Sequence, residues 1–179
     1  YAINDLINSG DDIHEISGIF SGTLSWLFET YDNSVPFSIL LLDALKQGIT
    51  EPDPREDLSG RDVQRKLLIL ARAAGFELSL DDIETQNLVS EALQTVSKEE
   101  FLDRANELDD FFTSAFSNAE KNNSGIRYIA RFSATSKGIK AVVNLESLPK
   151  EHAFANVSPC DNIFQITSGW YQDNPLIIR

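Results

Sequence analysis

The spacing of apolar residues changes twice along the chain. Ile13 to Ile19 reads as a short strand, and Ser21-Gly22-Thr23 then supplies small capping residues for a helix that carries Trp26 and Phe28. A second helix begins near Pro36, places Phe37, Leu40, Leu41 and Ala44 on one face, and stops at Gly48. The stretch from Gly48 to Gly60 has no period and reads as irregular. Ser59 opens a third helix with Asp62 in capping-box spacing, and Val63, Leu67, Leu70, Ala71 and Ala74 form its apolar stripe before Gly75. Ser97 and Glu100 start a fourth in the same way, with Phe101, Ala105, Leu108, Phe112, Ala115 and Ala119 toward the core and an acidic, solvated opposite face.

Beyond this helix the period falls to two. Ile126, Tyr128, Ala130 and Phe132 alternate with polar residues, as do Ile139, Ala141, Val143 and Leu145, and Ser136-Lys137-Gly138 between them completes a hairpin signature. Two more strands follow, at Ile163 to Thr167 and Leu176 to Ile178. One strand, then helices, then mostly strands predicts an α+β domain with helices packed on one face of a sheet.

Composition narrows the function classes. The 179 residues are 42% hydrophobic, enough for one domain with its own core. A net charge of -13 repels nucleic-acid phosphates and anionic lipid surfaces, so neither is an expected partner. Cys160 is the sole cysteine, which excludes an internal disulfide and a paired-thiol zinc site and suits a reducing cytoplasm. The longest apolar run, Ile39 to Leu42, is far short of a membrane span, and no basic-then-apolar signal opens the chain. The chain starts at Tyr1 and contains no Met, which leads to the expectation of a piece excised from a longer polypeptide.

The candidate chemistry lies between Gly48 and Lys66. Pro52 and Pro54 stiffen a loop that carries Glu51, Asp53, Glu56 and Asp57, and each holds the residue before it in extended geometry. Preorganised carboxylates of this kind suit the gripping of a cation, although a solvated connector has the same composition. Asp62 and Lys66 share a helix face at the end where the loop delivers its acids. An ordinary surface ion pair, or a capping box with Ser59, would account for them equally well.

These segments together carry a resemblance. Gly18-Ile19-Phe20-Ser21-Gly22-Thr23-Leu24-Ser25, the run from Gly48 to Asp57, and Leu58-Ser59-Gly60-Arg61-Asp62-Val63-Gln64-Arg65-Lys66-Leu67 closely resemble the signature of the homoserine dehydrogenases in order and spacing. Pro159 to Phe164 and Trp170 to Leu176 resemble later strands of the family, most of all in the bacterial enzymes fused behind an aspartokinase of the second type. The resemblance implies a catalytic and dimerisation domain with a mixed, mostly antiparallel sheet, similar to the C-terminal domain of glyceraldehyde-3-phosphate dehydrogenase. It implies NAD(P)-dependent interconversion of L-homoserine and L-aspartate 4-semialdehyde on the route to threonine and methionine.

By the same resemblance Glu51 faces the substrate ammonium, Lys66 transfers the proton with Asp62 beside it, and Asp57 helps to orient the reacting oxygen. Gly22 and Thr23 would offer backbone N–H groups to the substrate carboxylate. The nine glycines contain no Gly-x-Gly pair, so no dinucleotide fingerprint exists here. The family's nucleotide-binding domain is expected outside the chain, with no cofactor held by this piece and no activity from it alone. A homodimer through the sheet is expected, because apolar positions fall on more than one sheet face while helices cover one.

Other residues weigh less. His14 and His152 have no third partner nearby in sequence, and no metal is expected. Cys160 reads as a buried structural thiol, and Trp26, Phe28 and the phenylalanines at 101, 111, 112 and 116 read as core. The competing functional class is a non-catalytic oligomerisation module that keeps the fold and solvates its acidic loop.

Overall fold

A computed structural model of the chain describes residues 2–136 and 138–179. Tyr1, where the excised-piece expectation starts, and Lys137, in the expected hairpin turn, lie outside the described residues. A short helix, α1 (Ala2–Asn8), precedes the first strand, β1 (Ile13–Ile19). Helix α2 (Gly22–Thr30) follows at once, its first turn capped by the Ser21 hydroxyl, which accepts the Leu24 N–H at 3.2 Å. Helix α3 (Phe37–Gln47) starts after Pro36 and ends at Gly48, where Ile49 N–H donates back to the Ala44 carbonyl at 2.9 Å. The apolar face expected for it, Phe37, Leu40, Leu41 and Ala44, is buried.

Three expected boundaries are corrected. The stretch after Gly48 is not wholly irregular, because Asp53 and Pro54 start a one-turn helix, α4 (Pro54–Leu58). Asp53 caps it and Pro54 takes the first helical position, where a missing N–H costs nothing. Ser59 therefore ends α4 rather than opening the next helix, and α5 (Arg61–Ala73) takes Gly60 as its N-cap with no side-chain capping bond. Asp62 belongs to no capping box and is released for other work. The long fourth helix is broken: α7 (Lys98–Asp103), a 3-10 turn at Ala105–Leu108 and α8 (Asp109–Glu120) replace it. The stripe survives the break, since Phe101, Ala105, Leu108, Phe112 and Ala119 are all buried.

The short strand β2 (Ile83–Thr85) and the four-residue helix α6 (Glu91–Gln94) precede these helices. The long strands β3 (Ser124–Thr135) and β4 (Gly138–Pro149) form the expected hairpin, followed by β5 (Ile163–Ser168) and β6 (Leu176–Ile178). The sheet order is β2-β4-β3-β1-β5-β6, antiparallel except for the β2–β4 pair. Register places Ile16 opposite Phe132 and Ile166, and Ala130 opposite Val143 and Gly18, so one face gathers the apolar alternation of every central strand. The helices cover that face. Phe28 and Phe37 meet Phe112 there, with the Phe37 and Phe112 rings stacked at 3.6 Å between centroids.

The second sheet face divides in two. Ile19, Ile129, Leu148 and Ile163 form a small core that the chain itself covers with Phe154 and Val157. That segment is tied down by buried Arg127, which donates to the carbonyls of Ala155 at 2.7 Å and Phe28 at 3.0 Å and to the Glu29 carboxylate. The remainder is polar: Arg131 bridges Glu15 at 2.6 Å and Glu146 at 3.1 Å. The apolar positions that motivated a partner are thus partly satisfied within the chain.

Two local constraints fix the ends of these layers. Buried Asp11, ahead of β1, accepts the Ser168 hydroxyl at 2.6 Å and the Trp170 N–H at 3.0 Å, which ties the start of β1 to the end of β5. At the other edge the buried Tyr128 hydroxyl donates to the Gln86 carbonyl at 2.6 Å, and burial pushes this phenol above its ordinary range. The α4–α5 corner sits on that hydroxyl. Gly60 has φ 71°, and a Cβ there would overlap the Tyr128 hydroxyl and reach 3.1 Å from Thr85 Cγ2. Gly75 has φ 88° and open space around it.

The comparison separates backbone strain from overlap. We expect Gly75→Ala to cost about 1 kcal/mol, from the left-handed backbone alone. Gly60→Ala should cost at least about 2 kcal/mol more, because overlap in a packed site adds to the same backbone term. Urea unfolding of the two variants checks this, and equal losses would contradict the packing described.

Candidate functional site

The sequence between Phe20 and Lys66 folds so that three separate segments meet. Strand β1 ends at Ile19, and Phe20-Ser21 turn directly into α2, leaving the first-turn N–H groups of Gly22 and Thr23 without intrahelical acceptors. Those donors, at the positive end of the helix, suit an anion. The backbone of Cys160 closes over this turn, with its carbonyl oxygen 3.2 Å from where a Gly22 Cβ would stand. Glycine is the residue that lets the two segments approach.

The second segment is the loop carrying Glu51. The Thr23 hydroxyl donates to the Ile49 carbonyl at 2.9 Å, and Glu51 N–H donates to Asp57 Oδ2 at 2.8 Å. The Glu51 side chain is exposed and free to meet a ligand. Asp57 is half-buried in α4, and burial holds its carboxyl above the ordinary range. The Glu51 N–H and the nearby Thr23 hydroxyl pull it back, while the Glu51 and Glu56 charges add to the rise.

The third segment is the first turns of α5. Lys66 Nζ donates to the Phe20 carbonyl at 2.8 Å and pairs with Asp62 Oδ2 at 2.8 Å. The Asp62 contact is the i,i+4 pair expected of a helix surface, and both side chains are about half exposed. The Phe20 contact is different in kind. It joins residues 46 apart in sequence and carries the ammonium from α5 to the turn beneath Gly22 and Thr23.

All six expected residues therefore belong to one connected arrangement: Glu51 and Asp57 by a direct bond, Thr23 through the Ile49 carbonyl, Asp62 and Lys66 through Phe20, and Gly22 in the same turn. The Phe20 and Ile49 carbonyls carry no signature in the sequence and were not expected. Asp53, a candidate for cation binding, drops out because Arg55 engages it at 2.7 Å. The Arg55 guanidinium also donates to the Leu93 and Val96 carbonyls and lies 5.3 Å over the Phe101 ring. The Asp-Pro pair at the start of a helical turn was the legible signal for that structural role.

Several other expectations change. Cys160 is exposed, not buried, in a left-handed backbone conformation with φ 69°. Phe111 is also exposed rather than core. His152 Nδ1 accepts the Phe154 N–H at 3.1 Å and so caps the turn that covers the second sheet face. A cavity of about 460 Å³ opens next to α4 and is lined by Arg55, Glu56, Arg61 and Arg65, but by none of the six expected residues.

Among the described residues parallel pairing is confined to β2 and β4, and the sequence contains no Gly-x-Gly pair. The arrangement offers a carboxylate for a cation, helix-terminal N–H groups for an anion, and a half-exposed lysine bonded to the Phe20 carbonyl just ahead of that helix.

The homoserine dehydrogenase family model matches residues 2–179. Bifunctional aspartokinase/homoserine dehydrogenase 2 of Escherichia coli is 48% identical over the whole chain, which covers 22% of that protein. Homoserine dehydrogenase of Schizosaccharomyces pombe is 37% identical over 98% of the chain, which spans 48% of it. A crystal structure of a Candida auris protein of unknown function superposes with a TM-score of 0.92 at 34% identity, covering 99% of this chain and 50% of that one. A putative homoserine dehydrogenase from Archaeoglobus fulgidus shares the fold, with a TM-score of 0.72 at 22% identity, over 98% of this chain and 48% of that one. The chain thus spans between about a fifth and a half of the length of these relatives. Among the described residues no helix is long and apolar enough to cross a membrane.

The Asp57 carboxyl gives a pH test. Its folded pKa is raised, so the folded chain holds the proton more tightly than the unfolded one, and stability falls as pH rises from about 4 through the folded value. We expect Asp57→Asn, which keeps an oxygen for the Glu51 N–H, to lose that downward slope. Carboxyl carbon NMR titration measures it directly, and an Asp57 midpoint at or below about 4 would contradict the burial described.

Proposed function

The chain belongs to the homoserine dehydrogenase family, and from that premise we propose that it supplies the substrate site and the proton-transferring lysine for NAD(P)-dependent interconversion of L-homoserine and L-aspartate 4-semialdehyde. The observation that carries this reading is the Lys66 ammonium, drawn off the surface of α5 to the Phe20 carbonyl beside the α2 N-terminus. A purely surface partner of Asp62 has no need of that bond.

Each group then has a task that its chemistry fits. Glu51 faces the substrate ammonium, and the Gly22 and Thr23 N–H groups receive the substrate carboxylate. Lys66 gives its proton to the aldehyde oxygen as that oxygen becomes a hydroxyl, and the neutral amine takes it back in the oxidising direction. Asp62 holds the Lys66 side chain in place through their ion pair, and Asp57 steadies the loop and helps to orient the reacting oxygen. A bound nicotinamide would supply or accept the hydride. Its binding is assigned to the longer protein, and every role given to this chain concerns the substrate and its proton.

The chain is accordingly inactive by itself, and the activity, including any fused kinase, belongs to the longer protein. It forms a homodimer through the polar half of the second sheet face, around Arg131, Glu15 and Glu146.

The competing module reading predicts no saturable binding of homoserine to the intact protein, and calorimetric titration separates the two. In the full-length enzyme Lys66→Ala should lower kcat by roughly 10²- to 10⁴-fold with a much smaller change in KM. Glu51→Gln should do the reverse and weaken homoserine binding first. A Lys66→Ala enzyme with near-normal kcat would refute the assignment. Light scattering tests the assembly: a mass near 20.0 kDa at micromolar concentration would count against the dimer.

A further inference from the structure

We propose that the Thr23 hydroxyl is a positioning group that sets the distance between the two grips on an amino-acid substrate. The proposal rests on the reading of Glu51 and the α2 N-terminus given above. It concerns the side chain of Thr23, whereas that reading uses only its backbone.

The loop that presents Glu51 is held at successive peptide groups. Thr23 Oγ1 donates to the Ile49 carbonyl at 2.9 Å, across 26 residues of sequence. Thr50 is buried and donates its own hydroxyl to the Glu51 carbonyl at 2.9 Å. Glu51 N–H donates to Asp57 Oδ2 at 2.8 Å, and Pro52 confines Glu51 to extended geometry. Of these side-chain bonds, the one from Thr23 alone reaches outside the segment 49–57, and the Ile49 N–H bond to Ala44 ties the same residue to the end of α3. The Thr23 bond reaches α2, which is rigid because Leu24, Leu27 and Phe28 are buried in the main core. The hydroxyl also lies against the Asp57 carboxylate. Having one proton, it gives it to Ile49 and leaves Asp57 to the Glu51 N–H.

The consequence is geometric. The backbone of Thr23 faces the substrate carboxylate, and its side chain fixes the loop whose carboxylate faces the substrate ammonium. One residue therefore references both grips to a single helix turn. The two charged groups of an α-amino acid are separated by a fixed pair of bonds, so a site that holds its own two grips at constant spacing selects that class. An acid lacking the ammonium uses only one grip and gains nothing from the spacing.

The test uses the full-length enzyme with Thr23→Val, Thr23→Ala as a second hydroxyl-free variant, and Thr23→Ser. Removing the hydroxyl should raise KM for L-homoserine roughly tenfold, the usual worth of one hydrogen bond, with a smaller change in kcat. Thr23→Ser should restore KM. The inhibition constant of 4-hydroxybutyrate, which keeps the carboxylate and hydroxyl but lacks the ammonium, should stay the same in all four enzymes. In a Glu51→Gln background, Thr23→Val should add no further increase. A general loosening of the fold would instead raise KM and the 4-hydroxybutyrate constant together, and that outcome overturns the proposal. So does an unchanged KM in the hydroxyl-free variants of an enzyme where Glu51→Gln does raise it. If Glu51→Gln also leaves KM unchanged, the underlying reading of Glu51 fails.

Discussion

The close packing of Gly60 on the Tyr128 hydroxyl is the constraint from which the rest of the site follows. A corner between two helices needs a residue of positive φ, and this one also needs the absence of a Cβ, because the phenol occupies that space. The hydroxyl is held in turn by the Gln86 carbonyl, and Gln86 is bonded to the edge of β4 through Val143 and Leu145. The start of α5 is thus referenced to the sheet with no flexible intermediate. Lys66 lies within two turns of that point, which is why its ammonium can be aimed at a single backbone carbonyl. Without the corner, the helix would pivot on its apolar stripe and the aim would be lost.

The site itself is assembled around four consecutive residues. Phe20 receives Lys66, Ser21 caps α2, Gly22 admits the backbone of Cys160, and Thr23 holds the Ile49 carbonyl. These residues sit where an apolar strand becomes a helix, and the core fixes both sides of the junction through Ile19 and Leu24. Charged side chains come to this turn from elsewhere, so each can be exchanged or retuned without refolding the turn. The strongly acidic chain keeps one cation here beside one carboxylate partner, and the nearby acids are partly neutralised by backbone donors. That balance keeps a paired positive charge at this turn in a protein of net charge -13.

Most of the architecture could be read from the sequence because it depends on local pattern. Alternation over Ile126 to Phe132 and at Ala141 and Val143 marks the hairpin and its buried face, while Ile139, expected on that face, is exposed near the hairpin tip. The 3.6-residue stripes located the helices, and Pro36, Gly48 and Gly75 marked their limits. Failures arose where a neighbour in space outvoted a neighbour in sequence. Ser59 has the chemistry of a cap, yet tertiary packing at Gly60 placed the helix start one residue later. The stripe from Phe101 to Ala119 keeps its period through a break at Arg104, because burial of those side chains is blind to one tightened turn. At the site, the side-chain types of Glu51, Asp62 and Lys66 were legible, but ion pairs of that spacing are common on helices. What distinguishes Lys66 is a bond to a carbonyl, a group that every residue carries and no sequence can single out. The family resemblance supplied the roles that pattern could not.

The Asp11 clamp has a mechanical consequence. Ile13 and Ser168 are paired at the same end of the β1–β5 ladder, and Asp11 bonds Ser168 and Trp170 just beyond it. Tension applied through the segments leading into β1 and out of β5 would therefore reach the ladder at one end and open its bonds one after another, like a zip, instead of shearing them all at once. The clamp is the first bond in that series. Under that load the β1–β5 ladder would open from the Ile13 end, while the β3–β4 hairpin lies outside it.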